Sequence, residues 1–564
     1  MSEEPRWRDS RRLTGPSLLL DRPGVALEVS LSDAEAEAVI AAWRESVAAM
    51  RAAVGWREAA VAARRFPGGA SLAMEAPADA LYAATLVNEW ALEAALGAAP
   101  PLAEAAAEIG RDIVAERNPT FQALAAEAAR RGVAFVPGDG KVSLGLGQGS
   151  LSFDESDLPS SGEVDWSRVH DVPAALVTGT NGKSTTVRLL AAMATAAGRV
   201  TGLSSSDWVR VGDEILDRGD YSGPGGARLV VRDPRVEVAV LEIARGGILR
   251  RGLPLARASV AVVTNVAADH LGEYGVHDVE ALADAKLVVA KAVRGHGTLV
   301  LNADDPRLVA RADRTGARLA WFSLEEPARV SDGAALDGGR LALRRAGASL
   351  PILPVDEVRI AFGGAARHNL ANALAAMAAS DALGLPPEAM AEALRRFGSD
   401  EADNPGRGVV REIGGVTVLV DFAHNPHGLA AIAGLVAALP AKRRLVLLGQ
   451  AGDRTDAEIR ELAAAAWSLR PDRIVVKEME AYLRGRQKGE VPALLEAELA
   501  CLGAAPDLVA EASSETDAVR SAFAWAQPGD LLVLLSHAAR ARTLALLDRL
   551  TAASWRCGEP LPDG

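Results

Sequence analysis

Two rhythms of apolar residues divide the chain. Before residue 169 the prevailing period is three to four: "SDAEAEAVIAAWRESVAAMRAAV" opens on a Ser/Asp cap signal and then repeats apolar residues at helical spacing. "PTFQALAAEAARRGVAFVPGDGKVSLGLGQGS" reads as helix, strand, turn, strand, and the Gly-, Ser- and acid-rich "GQGSLSFDESDLPSSGEVD" after it predicts a linker or domain edge. From about 171 short β-branched runs alternate with helical ones: "AALVT", "VEVAVLEIA", "ASVAVVTNVA", "GTLVLNA", "ARLAWFS". A second such series follows "DNPGRG": "VTVLVDFA", "RRLVLLGQ", "DRIVVKE", "DLLVLLSHA". Alternation of this kind predicts largely parallel sheets. The expected organisation is therefore an α+β domain over 1–168 and two α/β domains over 169–402 and 403–564, with no repeat that would make a solenoid.

Composition narrows the picture by exclusion. At 49% hydrophobic and 24% charged residues the chain is that of a globular protein, and 564 residues exceed what one core supports. A formal charge of −13 disfavours a nucleic-acid coat. Cys501 and Cys557 are too few for a disulfide framework or a zinc set and fit a reducing compartment. No apolar leader follows the charged start and no window reaches roughly 18 uninterrupted apolar residues, so a cytoplasmic protein without membrane partners is expected.

Candidate chemistry begins at "LVTGTNGKSTTVRLLAA", Leu176 to Ala192. A strand ending at Thr178 and a helix beginning near Lys183 would set the backbone N–H groups of Gly179, Thr180, Asn181, Gly182, Lys183, Ser184 and Thr185 around a polyphosphate. Lys183 would neutralise β/γ oxygens and Ser184 would reach Mg²⁺. Val177 stands where the longer phosphate-loop pattern has its first glycine, so "GTNGKST" alone carries the reading; the alternative is a plain Gly/Asn turn.

This loop resembles that of the Mur ligase family, whose members join an amino acid to a carboxylate at the expense of ATP. The resemblance implies a phosphate-loop central domain and a Rossmann-like C-terminal domain. It also implies Mg²⁺ ligands at Glu242 in "LEIARGG" and His270 in "TNVAADHLGEYG"; read alone, these are equally a strand-end acid and a helix cap. Lys286 in "ADAKLVV" matches the lysine that many members carry as a carbamate, against a bland reading as a helix-surface lysine. "LNADDP" and "ARHNLANALAA" resemble the adenine-side and helix-start motifs, implicating Asn302, His368, Asn369 and Asn372. In the third domain the resemblance assigns Arg407 to the γ-phosphate, Asp421 to ribose, and His424 and Asn425 to the closed cleft. The family's chemistry makes Lys183, His270, Lys286 and Arg407 the catalytic set.

Within the family, "EIARGGILRRGL" and "VVKEMEAYLRGRQKGE" look like the cyanophycin synthetases, and "LTGPSLLL" looks like their N-terminal domain. Those enzymes carry an ATP-grasp domain between the two parts, whereas here about two dozen residues separate "GQGSLSFDESD" from "VPAALVTGTNGKS". One ATP-dependent ligation is therefore expected, adding an arginine- or lysine-like amino acid to an aspartate-type carboxylate on a small molecule or peptide. Arg245, Arg250 and Arg251 are candidates to hold an anionic acceptor, or form a solvated helix face. The alternatives are a Mur-type ligase of other specificity, such as glutamate addition to a small acid, or a non-catalytic ATP-binding partner of a separate ATP-grasp enzyme. Residues 1–168 are expected to serve acceptor binding or assembly, and self-association stays open.

Overall fold

The β-branched runs after residue 171 become the strands of an eleven-stranded sheet in a computed structural model that describes residues 7–562. Its centre is parallel, with Thr201–Ser204, Val238–Glu242, Ala174–Thr178, Val260–Val263, Thr298–Asn302, Arg318–Ser323 and Gly333–Asp337 side by side in that order. Val238–Glu242, Ala174–Thr178 and Val260–Val263 are buried at every residue, which is why they read as unbroken apolar stretches. Each fully buried Val or Leu there contributes roughly 1.5–3 kcal/mol. Polar-faced antiparallel hairpins, Trp208–Val211 with Glu214–Arg218 and Arg340–Arg345 with Ala348–Pro354, close the two edges.

Strand order positions the chemistry. Ala174–Thr178 lies between Val238–Glu242 and Val260–Val263, with Val177 in register with Glu242 and Thr178 with Val263. The loops leaving these three strands, beginning at Gly179, Ile243 and Thr264, therefore emerge side by side at the carboxyl ends, the usual ligand crevice of a parallel sheet. The Ala-rich helix Arg367–Ala382 packs on Lys183–Ala196; its small side chains permit close approach, and Ser380 Oγ sits 3.1 Å from Met193 Sδ.

A second, six-stranded sheet runs Val409–Ile413, Val416–Asp421, Leu531–Leu535, Arg444–Leu448, Arg473–Lys477, Val509–Ala512, parallel except for its first strand. Inside it Lys477 Nζ donates to Glu515 Oε2 at 2.6 Å and to the Leu535 carbonyl at 2.5 Å, both side chains being buried. Burial favours the neutral acid at Glu515, but the Lys477 charge and hydrogen bonds from Lys477 and Ser536 outweigh it and hold the carboxyl down at about 2. A carboxyl depressed in the folded state stabilises above its ordinary value of 4.5 and loses that contribution as pH falls toward 2. Glu515→Gln, which strands a buried ammonium, is expected to cost about 3 kcal/mol in denaturant unfolding at pH 7 and to flatten the acid limb of stability; an unchanged midpoint would contradict the pairing.

The helical reading of the first 168 residues is incomplete. Trp7–Leu13, Gly24–Ser30, Gly69–Glu75 and Val61–Phe66 form an antiparallel four-stranded sheet covered by the helices Asp33–Ala53, Leu81–Ala95 and Leu102–Glu116. "VAARRF" and "GASLAME" are poor in β-branched residues, and pairing partners rather than propensity make them strands. The stretch read as a linker also holds a strand, Leu151–Asp154, paired with Lys141–Leu144. This small sheet docks on the central domain: the Arg232 guanidinium donates to Ser143 Oγ at 2.8 Å and to the Val136 and Gly138 carbonyls, and Val136, Leu146 and Val172 join the central core. Among the described residues no helix is long and apolar enough to cross a membrane.

Candidate active site

The phosphate loop is built by glycine and clamped by its neighbours. Gly179 (φ 149°) and Gly182 (φ 84°) adopt backbone that side chains rarely tolerate; a Cβ would lie 1.8 Å from Thr264 Oγ1 at the first and 2.1 Å from Asn372 Oδ1 at the second. The Thr180 N–H donates to the Asn265 carbonyl at 2.9 Å, the Asn181 N–H to Asn265 Oδ1 at 3.0 Å, and the Thr264 hydroxyl to the Asn181 carbonyl at 2.7 Å. The helix Lys183–Ala196 has no side-chain cap, and the amides of Lys183, Ser184 and Thr185 carry no acceptor among the described residues. Free amides at a helix N-terminus bind anions. Lys183 Nζ, 2.9 Å from the Thr180 carbonyl, lies over the loop. Gly182→Ala is expected to weaken binding of a non-hydrolysable ATP analogue by roughly tenfold or more through strain of about 1–3 kcal/mol; calorimetry giving unchanged affinity would contradict this account.

Glu242, 2% exposed at its strand end, accepts the Ser206 N–H at Oε2 and has no partner at Oε1 among the described residues. Ser206 Oγ lies 3.1 Å from Ser184 Oγ and accepts from Arg407 Nη2 at 3.1 Å, so one hydroxyl joins the loop to the far domain. His270 sits at φ 52°, its carbonyl accepting from the Arg245 guanidinium and its Nδ1 from Arg454 at 2.9 Å. Burial, with the Arg454 and Arg245 charges, outweighs Asp269 and pushes the imidazole down to about 4, leaving it neutral at neutral pH, its Nδ1 lone pair engaged by Arg454 and its ring proton on Nε2. Lys286 is 3% exposed, has no hydrogen-bond partner among the described residues and lies behind the cleft wall rather than on it. Burial, then the Lys183 and Arg245 charges, lower its pKa well below the usual lysine value.

These residues fit a magnesium ion that arrives with a nucleotide. Among the described residues no three His, Cys, Asp or Glu side chains converge into a cage. Mg²⁺ is usually held by one or two carboxylates together with phosphate oxygens, and the unpartnered Oε1 of Glu242 beside the Ser184–Ser206 pair offers that half of a site. The unpaired buried amine of Lys286, whose charged form is disfavoured by burial and by the Lys183 and Arg245 charges, likewise fits a CO₂ adduct.

A cavity of 1090 Å³ runs between the domains, lined by the loop, Glu242, His270, Asn302, His368 and Asn369 on one side and Arg407, Asp421, His424 and His537 on the other. Across it Asn181 and Asn425 exchange amide hydrogen bonds of 3.1 and 3.2 Å, while Asn425 also caps the helix Pro426–Ala438. His424 Nε2 stands 3.6 Å from Asp269, whose carboxyl is held well below the usual range: burial opposes its charge, but its interactions with the His424, His270 and Arg454 side chains prevail. Asp421 spends its carboxylate on the Gly408 and Ala423 amides at 2.8 and 2.7 Å, shaping the turn after Arg407. Asn302 and Asn369 donate to the Thr264 and Ile360 carbonyls, and His368 contacts the Ala431 carbonyl, so all three form cleft wall with tethered side chains.

The structure does not bring Arg250 and Arg251 to the cleft. They are exposed at the end of the helix Arg245–Arg251, where the Arg251 carbonyl accepts the Thr14 N–H of the N-terminal domain. Arg245, a turn and a half earlier, is the member of that cluster that reaches the site. Ser206, Asp269, Arg454 and His537 escaped the sequence reading; "SSSD" and "GDRTD" look like ordinary polar turns.

Comparison with known proteins places this geometry. The model of the Mur ligase middle domain matches residues 177–380, and that of the Mur ligase glutamate ligase domain matches 406–537. The UDP-N-acetylmuramoylalanine–D-glutamate ligase of Methylococcus capsulatus is 34% identical over 364 residues, 64% of this chain and 67% of that one. The chain belongs to the Mur ligase family. Cyanophycin synthetases of Trichormus variabilis (36% over 373 residues, 64% of this chain) and Synechocystis (39% over 332 residues, 57%) are also similar, but the chain spans only 41% and 38% of their lengths. E. coli FolC, solved with DHPP and ADP, shares the fold at 24% identity and a TM-score of 0.50 over 67% of this chain and 89% of its own. In this Mur ligase the cleft is the junction of the two family domains, and among the described residues none that lines it precedes Thr180.

Proposed function

We propose that the chain is an ATP-dependent ligase that joins a carboxylate to an amine through an acyl-phosphate, releasing ADP and phosphate. The observation that carries this reading is the meeting, in one cleft, of an anion-binding loop, a half-built cation site and an arginine from the opposite domain. With the triphosphate of ATP on Gly179–Thr185, a carboxylate oxygen of the acceptor attacks the γ-phosphorus and ADP leaves. The amine then attacks the acyl carbon, phosphate departs and the amine proton is released. A carboxylate is a poor electrophile without such activation, and Lys183 and Arg407 stabilise the charge that spreads over the phosphoryl oxygens. Magnesium held by Ser184 and Glu242, with His270 beside them, would supply further neutralisation of that charge. The Asn181–Asn425 pair holds the domains together and keeps water from the activated acyl group.

Likeness to the cyanophycin synthetases supports an arginine- or lysine-like amine and an aspartate-type carboxylate, in the cytoplasm. Residues 1–168, outside the cleft, are proposed to hold the distal part of an acceptor or a partner such as a second copy or a separate ATP-grasp enzyme. The test is a screen of the twenty amino acids, glutamate included, with and without aspartate-containing acceptors, reading ADP release. Release that needs both an acid and an amine is expected; release indifferent to both would refute a ligase.

Lys286 is proposed to carry CO₂ as a carbamate and so to add a carboxylate behind the cation site. In ¹³C-bicarbonate the protein should show one protected carbamate resonance that disappears in Lys286→Gln. Its presence in that variant would overturn the assignment.

A further inference from the structure

Asp207 gathers arginines from two domains. It follows the strand Thr201–Ser204, its side chain is 5% exposed, and Oδ2 pairs with Arg188 on the helix that begins at the phosphate loop. Its other oxygen, Oδ1, pairs with Arg540, the first residue of the C-terminal helix Arg540–Ala552. Arg407 Nη2 lies 3.7 Å from the same carboxylate while donating to the adjoining Ser206.

Arg540 is also fitted beneath Arg407. Gly406, at φ 65°, has no Cβ where Arg540 Cδ passes; one built there would lie 2.2 Å away. Both guanidiniums face the Phe422 ring, at 4.8 and 5.4 Å from its centroid. Asn404 completes the assembly, accepting from Arg188 at 2.8 Å and donating to the Arg407 carbonyl and to Thr185 in the loop, each at 3.3 Å. Three buried donors of the group, Arg188 Nε, Arg407 Nε and Arg540 Nη1, find no acceptor among the described residues.

We infer that the Asp207–Arg540 pair is a closure clasp that seats Arg407 against the phosphate loop, so that this arginine meets the transferring phosphoryl group only when the C-terminal domain is docked. Asp207 and Arg540 are positioning residues; neither lines the cleft. Removing Asp207 leaves the guanidiniums of the two domains to repel one another, and removing Arg540 deletes the direct ion pair between the C-terminal helix and the central domain. The spare donors suit a cluster that closes around an anion. The inference rests on the ligase reading for the role of Arg407.

The test compares Arg540→Gln, Arg540→Lys and Asp207→Asn with the parent chain in three measurements. Calorimetry with a non-hydrolysable ATP analogue should give unchanged affinity, because the loop belongs to the central domain. Small-angle scattering with the analogue should show a larger radius of gyration for Arg540→Gln and Asp207→Asn. Turnover should fall by about 10²-fold with KM for ATP unchanged, since loss of seating by an ångström costs that much, and Arg540→Lys should recover part of it. Parental scattering and turnover in Arg540→Gln would overturn the clasp. So would a joint loss of melting temperature and analogue affinity, the mark of a merely structural residue. If the parent chain ligates nothing, the ligase reading fails and scattering alone still decides the clasp.

Discussion

Lys183→Ala is expected to lower turnover by roughly 10³-fold, the scale of losing a preorganised charge at a developing oxyanion. The loop amides and the helix terminus would still hold phosphate, but the ammonium that lies over the loop 2.9 Å from the Thr180 carbonyl is the loop's own full positive charge. Affinity for an ATP analogue should drop as well, because Lys183 meets ground-state and transferring phosphate alike. Lys183→Arg should fare little better, a planar fork being a poor substitute for a compact ammonium between the Thr180 carbonyl and the nucleotide. Thermal melting should be unchanged, since the side chain is only half-buried. Turnover within a few-fold of the parent would contradict the role.

Arg407→Ala should separate turnover from binding. An arginine delivered to a transferring phosphoryl group is worth about 10³–10⁵ in rate. The Arg407 guanidinium reaches the loop through Ser206 and the Asp207 cluster of the closed domain pair, so the nucleotide should bind the variant with little loss. Steady-state kinetics and calorimetry on the same preparation check both halves. A variant that loses nucleotide affinity in proportion to rate would place Arg407 in ground-state binding instead.

Legibility in the sequence followed burial. Strands covered on both faces, such as Val260–Val263, write uninterrupted β-branched runs and were readable, as was the loop, whose glycines stand where Thr264 and Asn372 leave no room for a Cβ. The Ala-rich strands Val61–Phe66 and Gly69–Glu75 were not, because alanine carries no period-two signal and only their partners make them strands. Arg250 and Arg251 resemble Arg245 in sequence, yet a helix turn decides which of them meets His270 and which meets solvent. The clasp was invisible for another reason: Asp207 and Arg540 are 333 residues apart, and an ion pair across that distance leaves no local pattern.

The central claim is that a carboxylate oxygen takes the phosphoryl group. With the acid and amine that give the fastest dependent ADP release, both oxygens of the acceptor carboxylate are labelled with ¹⁸O and the phosphate is analysed by mass. One ¹⁸O in each phosphate, with ADP as the nucleotide product, is the predicted result; unlabelled phosphate, or AMP and pyrophosphate in place of ADP, would contradict it.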